Sequence, residues 1–384
     1  MEKLTREELI KLIRAVFPSL PTDRGLAIIT DFPRNVDEDN PDWTARRIMA
    51  KEWAAMLRES PQALGLERVE FVGYESVGSQ NADLPETFYV ITGPIPATAE
   101  GLAEVGQALA LEKVYMDFQL LLAPTEFSTT APLKIAAPKY RFRAATMPGF
   151  TAGMVPALRL DYGEINRRCL LLKEKLDAAE KATVIFAADD KEYDVQFDLR
   201  FRSAHASTGR FPEPGTAGNL PSGETYIVPY EGEMDEQSAT NGVLPVQFED
   251  EVVLYRLEQN RAVAVQSSGK VSAREAEKLR REPAYGNMAE LGFGVLADFG
   301  LKPVGKILLD EKLGFHVAFG RSDHFGGIVS PHMFSSPAAV EHTDRVYIPE
   351  MQPRVLVRQV ELVYKGGRKE RIMRNGRYSL WQER

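Results

Sequence analysis

The residues whose types and spacing could do chemistry lie mostly in the last quarter of the chain. In "AAVEHTDRVYIP" (338–349), His342 and Asp344 stand two positions apart in a run that reads as a strand. Residues i and i+2 of a strand share a face. Val340, His342, Asp344, Val346 and Ile348 then line the side whose aliphatic members should face a core. An imidazole and a carboxylate aimed inward can form an ion pair, which stabilises poorly when buried, or can coordinate a cation together. Of the five histidines, His205, His316, His324, His332 and His342, four fall between 316 and 342, and that clustering points to a shared site. In "GFHVAFG" (314–320), Phe315, Val317 and Phe319 take one face, while Gly314, His316, Ala318 and Gly320 take the other. His316 thus has small neighbours and room beside it for a ligand. Two nitrogens and one oxygen from His316, His342 and Asp344 suit zinc, iron or cobalt better than calcium or magnesium. Two acidic residues join the list. "AGNLPSGETYIVP" (217–229) is a turn that delivers Glu224 to the entry of a strand, and "GNMAELGFGVL" (286–296) places Glu290 just before a Gly-Phe-Gly turn.

These side chains need a scaffold, and 384 residues are enough for two domains. In the first part, "GLAIITDF" (25–32), "ERVEFVGY" (67–74) and "KVYMDFQLLLAP" (113–124) are short apolar runs. They alternate with the helical stretches "WTARRIMAKEWAAMLRES" (43–60) and "ATAEGLAEVGQALALE" (97–112), and "PKYRFRAATMPGF" (138–150) adds a strand. That alternation predicts an α/β N-terminal domain, residues 1–154, with a mainly parallel sheet. A long helix follows at 162–182. Beyond it, "TVIFAAD", "YDVQFDLRF", "ETYIVPY", "VVLYRLE" and "AVAVQSS" carry the alternation and β-branched residues of antiparallel strands. The expectation for residues 155–384 is an α+β domain rich in antiparallel strands and carrying the metal site, closed by an Asn-Gly hairpin in "RKERIMRNGRYSL".

Bulk properties exclude several classes. A formal charge of −8, from 47 basic and 55 acidic residues, argues against a phosphate-backbone partner. No apolar run approaches the roughly 20 residues that span a bilayer, and "MEKLTREELIKLIRAVF" reads as an amphipathic helix with a Thr5–Glu8 capping box. The single cysteine, Cys169, excludes an internal disulfide framework, fits a reducing compartment and sits in an apolar helical context that marks it as buried and inert. A cytoplasmic protein is the expectation. There is no G-x-G-x-x-G after a strand, and "GLKPVGK" (300–306) fails as a P-loop because Ile307 stands where Ser or Thr is required.

The turn "NLPSGE", the "AELGFG" and "DEKLGFHVAFG" segments and the terminal His-x-Asp occur in an order and spacing that resemble the metal-dependent aminopeptidases of the M29 family, the aminopeptidase T and aminopeptidase S type. The resemblance covers most of residues 215–350. It implies that Glu224, Glu290, His316, His342 and Asp344 hold two divalent metal ions, zinc or cobalt, with Glu290 also assisting proton transfer. It further implies a homodimer acting on a peptide or small-molecule substrate. Peptidases of this group carry a catalytic tyrosine seven positions after the histidine that matches His316. This chain has Asp323 there, in "GRSDHFGG", so Asp323, Arg321 and His324 become the candidate catalytic neighbours. The same scaffold is used, again by resemblance, in 2,5-dihydroxypyridine dioxygenases, where two histidines and an aspartate hold one Fe(II). His316, His342 and Asp344 could supply that triad.

Overall fold

The computed structural model describes residues 2–381. The chain divides into two compact units, one formed by residues up to Asn166 together with Gly209–Ser222, the other by Arg167–Thr208 and the chain from Gly223 onward. The return of 209–222 to the first unit is a discontinuity that reading along the chain does not reveal.

The first unit is built on a seven-stranded sheet. Its strands run in the spatial order Thr216–Asn219, Arg143–Thr146, Leu120–Ala123, Gly25–Phe32, Arg68–Glu75, Thr87–Ile91 and Gly106–Ala110. The first five pair in parallel and the last two extend the sheet antiparallel. Gly25–Phe32 is buried along its whole length, as a central parallel strand with both faces covered should be. Helix Pro41–Arg58 starts at Asn40, whose side chain accepts from the Trp43 amide, with Pro41 at the first helical position. Thr5 and Glu8 form the expected capping box at the head of helix Arg6–Val16.

Three elements differ from the sequence pattern. The helix expected over 97–112 is broken: Leu102–Val105 is one short helical turn, and Gly106–Ala110 is an edge strand paired with Thr87–Ile91. The available edge outweighs the helical propensity of Ala and Leu, helped by Gly106, where a side chain would press on Tyr89. In 113–124 only Leu120–Ala123 is a strand, because helix Leu111–Asp117 takes the first half. The strand expected from 138 begins at Arg143, since helix Thr130–Tyr140 carries Pro138 within it and stops at Arg141 in the left-handed region.

The second unit holds two antiparallel sheets. An eight-stranded sheet includes Ala179–Ala188, which follows helix Tyr162–Ala178 directly, and Val355–Tyr364. At its edge lies the hairpin Lys369–Arg374 and Arg377–Tyr378, whose Asn375 and Gly376 both have positive φ, as the Asn-Gly turn demands. A five-stranded sheet has the order His342–Val346, Phe315–Gly320, Met288–Gly294, Glu224–Ile227 and His205–Ser207. One face of this smaller sheet is apolar: Phe315 packs on Phe186 and Tyr347, Phe293 on Phe315, and Phe319 on Tyr255 and Tyr285. The other face carries the histidines. Among the described residues no helix is long and apolar enough to cross a membrane.

Candidate functional site

The five-stranded sheet sorts its side chains by alternation. Glu290 is opposite Ala318, Ala318 opposite Asp344, and His342 opposite Gly320. On the far side of the Glu290 strand, Glu224 is opposite Gly294 and Tyr226 opposite Gly292. Glu224, Glu290, His316, His342 and Asp344 therefore project from one face, where Gly292, Gly294, Ala318 and Gly320 are their small cross-strand neighbours.

Gly292-Phe293-Gly294 is not a turn after Glu290 but the end of strand Met288–Gly294. Its glycines are needed for approach. A Cβ built at Gly292 would overlap the His316 ring, and one at Gly294 would overlap the Lys312 backbone. The first absence lets the imidazole lie over the Glu290 strand. The second lets the segment before His316 come close enough for Lys312 to reach Glu224. The strand carrying the His-x-Asp pair is also shorter than the sequence pattern, spanning only His342–Val346, with a short 3-10 turn at Pro337–Ala339 ahead of it.

Glu290 is the centre of the constellation. Its Oε1 lies 3.1 Å from His316 Nε2 and its Oε2 lies 3.3 Å from His342 Nε2. His316 Nε2 is also 3.6 Å from Glu224 Oε2, and His342 Nε2 is 3.6 Å from Asp344 Oδ1. Each imidazole is oriented from behind. His316 Nδ1 lies 3.0 Å from the Gly314 carbonyl, and His342 Nδ1 lies 2.8 Å from the Arg321 carbonyl. A carbonyl only accepts, so each Nδ1 carries the hydrogen and each Nε2 faces the carboxylates. Glu224 accepts from the fully buried Lys312 at 2.8 Å through Oε1, and its buried Oε2 has no hydrogen-bond partner.

The electrostatics follow from this packing. Burial opposes charge on Glu290, yet the two imidazole hydrogen bonds hold its carboxyl far below the usual range. Burial likewise opposes charge on His316, but Glu290, with Glu224 and Asp344 behind it, pushes the imidazole up to about 10. His342 is raised for the same reason, against its own burial, by Asp344 and Glu290. Lys312 is raised too, because Glu224 and Glu311 outweigh its burial. Glu311 itself is pushed up to about 8 by burial and by the Glu224 and Asp344 charges, in spite of its contact with Lys312. The buried carboxylates thus favour positive charge on the two imidazoles and on Lys312.

The donor set has the chemistry of a cation site. Among the described residues, Glu224, Glu290 and His316 form one group, and Glu290, His342 and Asp344 another, with the ligand atoms of each group within 4.8 Å of one another. Glu290 belongs to both. The unpartnered Glu224 Oε2 and the two Nε2 atoms turned inward fit a bound cation.

The remaining sequence candidates surround this core. Asp323 and His324 lie in the short turn Asp323–Phe325. Arg321 Nε donates to Asp323 at 2.6 Å, so that guanidinium is engaged within the turn. Partial burial and the like charges of His342 and Arg321 push His324 down to about 4, and its ring stands edge-on to His342 with centroids 5.3 Å apart. His205 lies on the far edge strand, stacked on Tyr226 at 5.3 Å. Cys169 is buried, and burial with the Glu224 charge pushes its thiol up to about 12, consistent with an inert residue. Sequence reasoning overlooked Lys312, whose signal was the Asp310-Glu311-Lys312 run ahead of a buried strand. It also overlooked Tyr226, two positions after Glu224 on the same face.

No family model matches this chain, and no curated protein matches it. Solved structures do share its fold over nearly the whole length. The 2,5-dihydroxypyridine dioxygenase from Pseudomonas putida KT2440 has 14% sequence identity and a TM-score of 0.58, with 98% of each chain covered. Wild-type AmpT from Thermus thermophilus has 16% identity and a TM-score of 0.56, covering 98% of this chain and all of that one. The neighbours thus include an M29 aminopeptidase and a ring dioxygenase on one shared two-domain α/β scaffold.

Proposed function

We propose that this protein is a metal-dependent hydrolase of the aminopeptidase kind, with Glu224, Glu290, His316, His342 and Asp344 holding two divalent metal ions, zinc or cobalt. The observation that carries the reading is the position of Glu290, which turns one carboxylate oxygen to each of two oriented imidazoles. Its neighbours divide accordingly, Glu224 on one side and Asp344 on the other. Bound there, a cation pair supplies a clamp for a substrate carbonyl and a water acidified towards neutral pH. The protein's own groups supply the rest. Lys312 holds Glu224 in place and neutralises part of its charge. The Gly314 and Arg321 carbonyls keep the two imidazoles facing inward. His324, edge-on to His342, can donate a hydrogen bond to a substrate oxygen in place of the missing phenol, and Glu290 assists proton transfer. The same reading implies a homodimeric cytoplasmic enzyme acting on a peptide or small molecule, with neither nucleic acid nor membrane as its partner.

A mononuclear Fe(II) dioxygenase is the second reading, favoured by the carboxylate at position 323 where the aminopeptidase resemblance calls for a phenol. It needs His316, His342 and Asp344 around one ion, whereas the donor groups divide these three between two sets. Metal analysis with a paired assay separates the two. The hydrolase should hold about two zinc or cobalt ions per chain and cleave aminoacyl chromophores. Replacing Asp323 by Tyr should then raise turnover, since one oxyanion donor is typically worth about 10²–10³ in rate. About one iron per chain, with oxygen uptake on a dihydroxylated ring and no hydrolysis in any metal form, would replace the hydrolase by the dioxygenase.

A further inference from the structure

The two donor groups are near copies of each other. Each sets one oxygen of the shared Glu290 against an imidazole, Oε1 at 3.1 Å from His316 Nε2 and Oε2 at 3.3 Å from His342 Nε2. Each imidazole has a second carboxylate oxygen 3.6 Å away, from Glu224 in one group and Asp344 in the other. Both Nδ1 atoms face a backbone carbonyl. Donors matched in this way would hold two like cations about equally.

The match fails at one point. Lys312 Nζ donates to Glu224 Oε1 at 2.8 Å, whereas among the described residues no lysine or arginine pairs with Asp344. Lys312 is fully buried between Glu224 and Glu311. Its ammonium has no water to replace these partners, so it stays on Glu224. Glu311 compensates the ammonium but belongs to neither donor group. An ion entering beside Glu224 therefore meets a carboxylate with one oxygen already taken and a like charge already bound to it. The Glu224, Glu290 and His316 side chains are all buried, so that repulsion is poorly screened.

We propose that the centre is built unequal: the ion at Glu290, His342 and Asp344 binds first and tightly, and Lys312 keeps the ion at Glu224, Glu290 and His316 weak and exchangeable. The proposal rests on the two-ion reading of the site. The share of protein carrying both ions then depends on free metal, and Lys312 sets that dependence.

The test is stepwise titration of the metal-free full chain with cobalt, followed by calorimetry and by the count of ions per chain in native mass spectrometry. Wild type should bind its second ion at least about tenfold more weakly than its first. His342→Gln should lose the tight step, and His316→Gln the weak one. Mutual repulsion of two cations also weakens a second step, so the deciding result comes from the lysine. Lys312→Met should tighten the second step by about tenfold or more and leave the first within about threefold. A merely structural role for Lys312 would give the opposite, a loss of affinity. Lys312→Met combined with Glu311→Gln removes both partners without stranding Glu311, and should show the same gain if the single variant folds poorly. Two steps of equal affinity in wild type, a tight step lost in His316→Gln, or a second step that does not tighten in either lysine variant overturn the proposal and leave the two-ion reading standing. One ion in wild type and two in the lysine variants is the proposal in its extreme form. One ion in wild type and in both variants ends the two-ion reading and the proposal together.

Discussion

At the scale of single residues, Lys312 is the side chain whose loss should be felt most. It is fully buried, and both its ion-pair partners, Glu224 and Glu311, are largely buried beside it. Removing one member of such a set strands the others without compensation, typically at a cost of about 3–5 kcal/mol. Lys312→Met should therefore lower the stability of the metal-free protein by about that amount in urea unfolding. Added zinc should recover part of the loss, because a cation beside Glu224 replaces the missing positive charge. A loss that zinc does not lessen would place Glu224 outside the metal's reach. Proton linkage belongs to this scale as well. His316 is raised above the ordinary imidazole value to about 10, so its contribution to stability is fully present below about pH 6.5 and is lost as pH rises towards 10. Glu290 is depressed, so its contribution is present above the ordinary carboxylate value and is lost as pH falls below it. For the metal-free chain, this cluster should stabilise most between about pH 4.5 and 6.5. Thermal melts of chelated protein from pH 4 to 10 check the window, and His316→Gln should flatten its alkaline side.

At the scale of elements, the site depends on two strands approaching closely at glycine positions. Gly292→Ala places a methyl group where the His316 ring lies. The ring must turn away, which costs about 1–3 kcal/mol of packing strain and misaims Nε2. Zinc affinity should fall by about 10- to 100-fold, the range for groups that orient a ligand, while the circular dichroism of the sheet is kept. Unchanged affinity would mean that the ring has room to spare. The glycines of "AELGFG" were plain in the sequence, but they looked like punctuation. Only strand pairing shows that each makes way for a particular neighbour.

At the scale of the whole molecule, the five candidate ligands come from four strands of one sheet, between positions 224 and 344. Metal that binds only the native state raises apparent stability by RT ln(1 + [L]/Kd), about 2.7 kcal/mol at a hundredfold excess over Kd. Chelation should therefore lower the melting temperature of wild type and leave a His342→Ala variant almost unmoved. Because binding must displace the imidazole protons, the wild-type drop should widen from pH 5.5 to 8.5. Equal drops in both proteins would show that His342 holds no metal.

Much of this was legible along the chain. Two-residue alternation sent His342 and Asp344 to one face and His316 to a face of small residues, because the pleat alone sets that pattern. Apolar runs marked Gly25–Phe32 and its neighbours as buried parallel strands, and Asn375-Gly376 specified its hairpin through backbone sterics that need no distant partner. What the tertiary structure alone decided are relations between strands far apart in sequence. The register places the Glu290 carboxylate between two imidazoles, brings Lys312 to Glu224 across 88 positions, and turns an apparently helical 106–110 into an edge strand. Local propensity cannot report these outcomes, since each results from competition among long-range pairings that become comparable only once the sheets have formed.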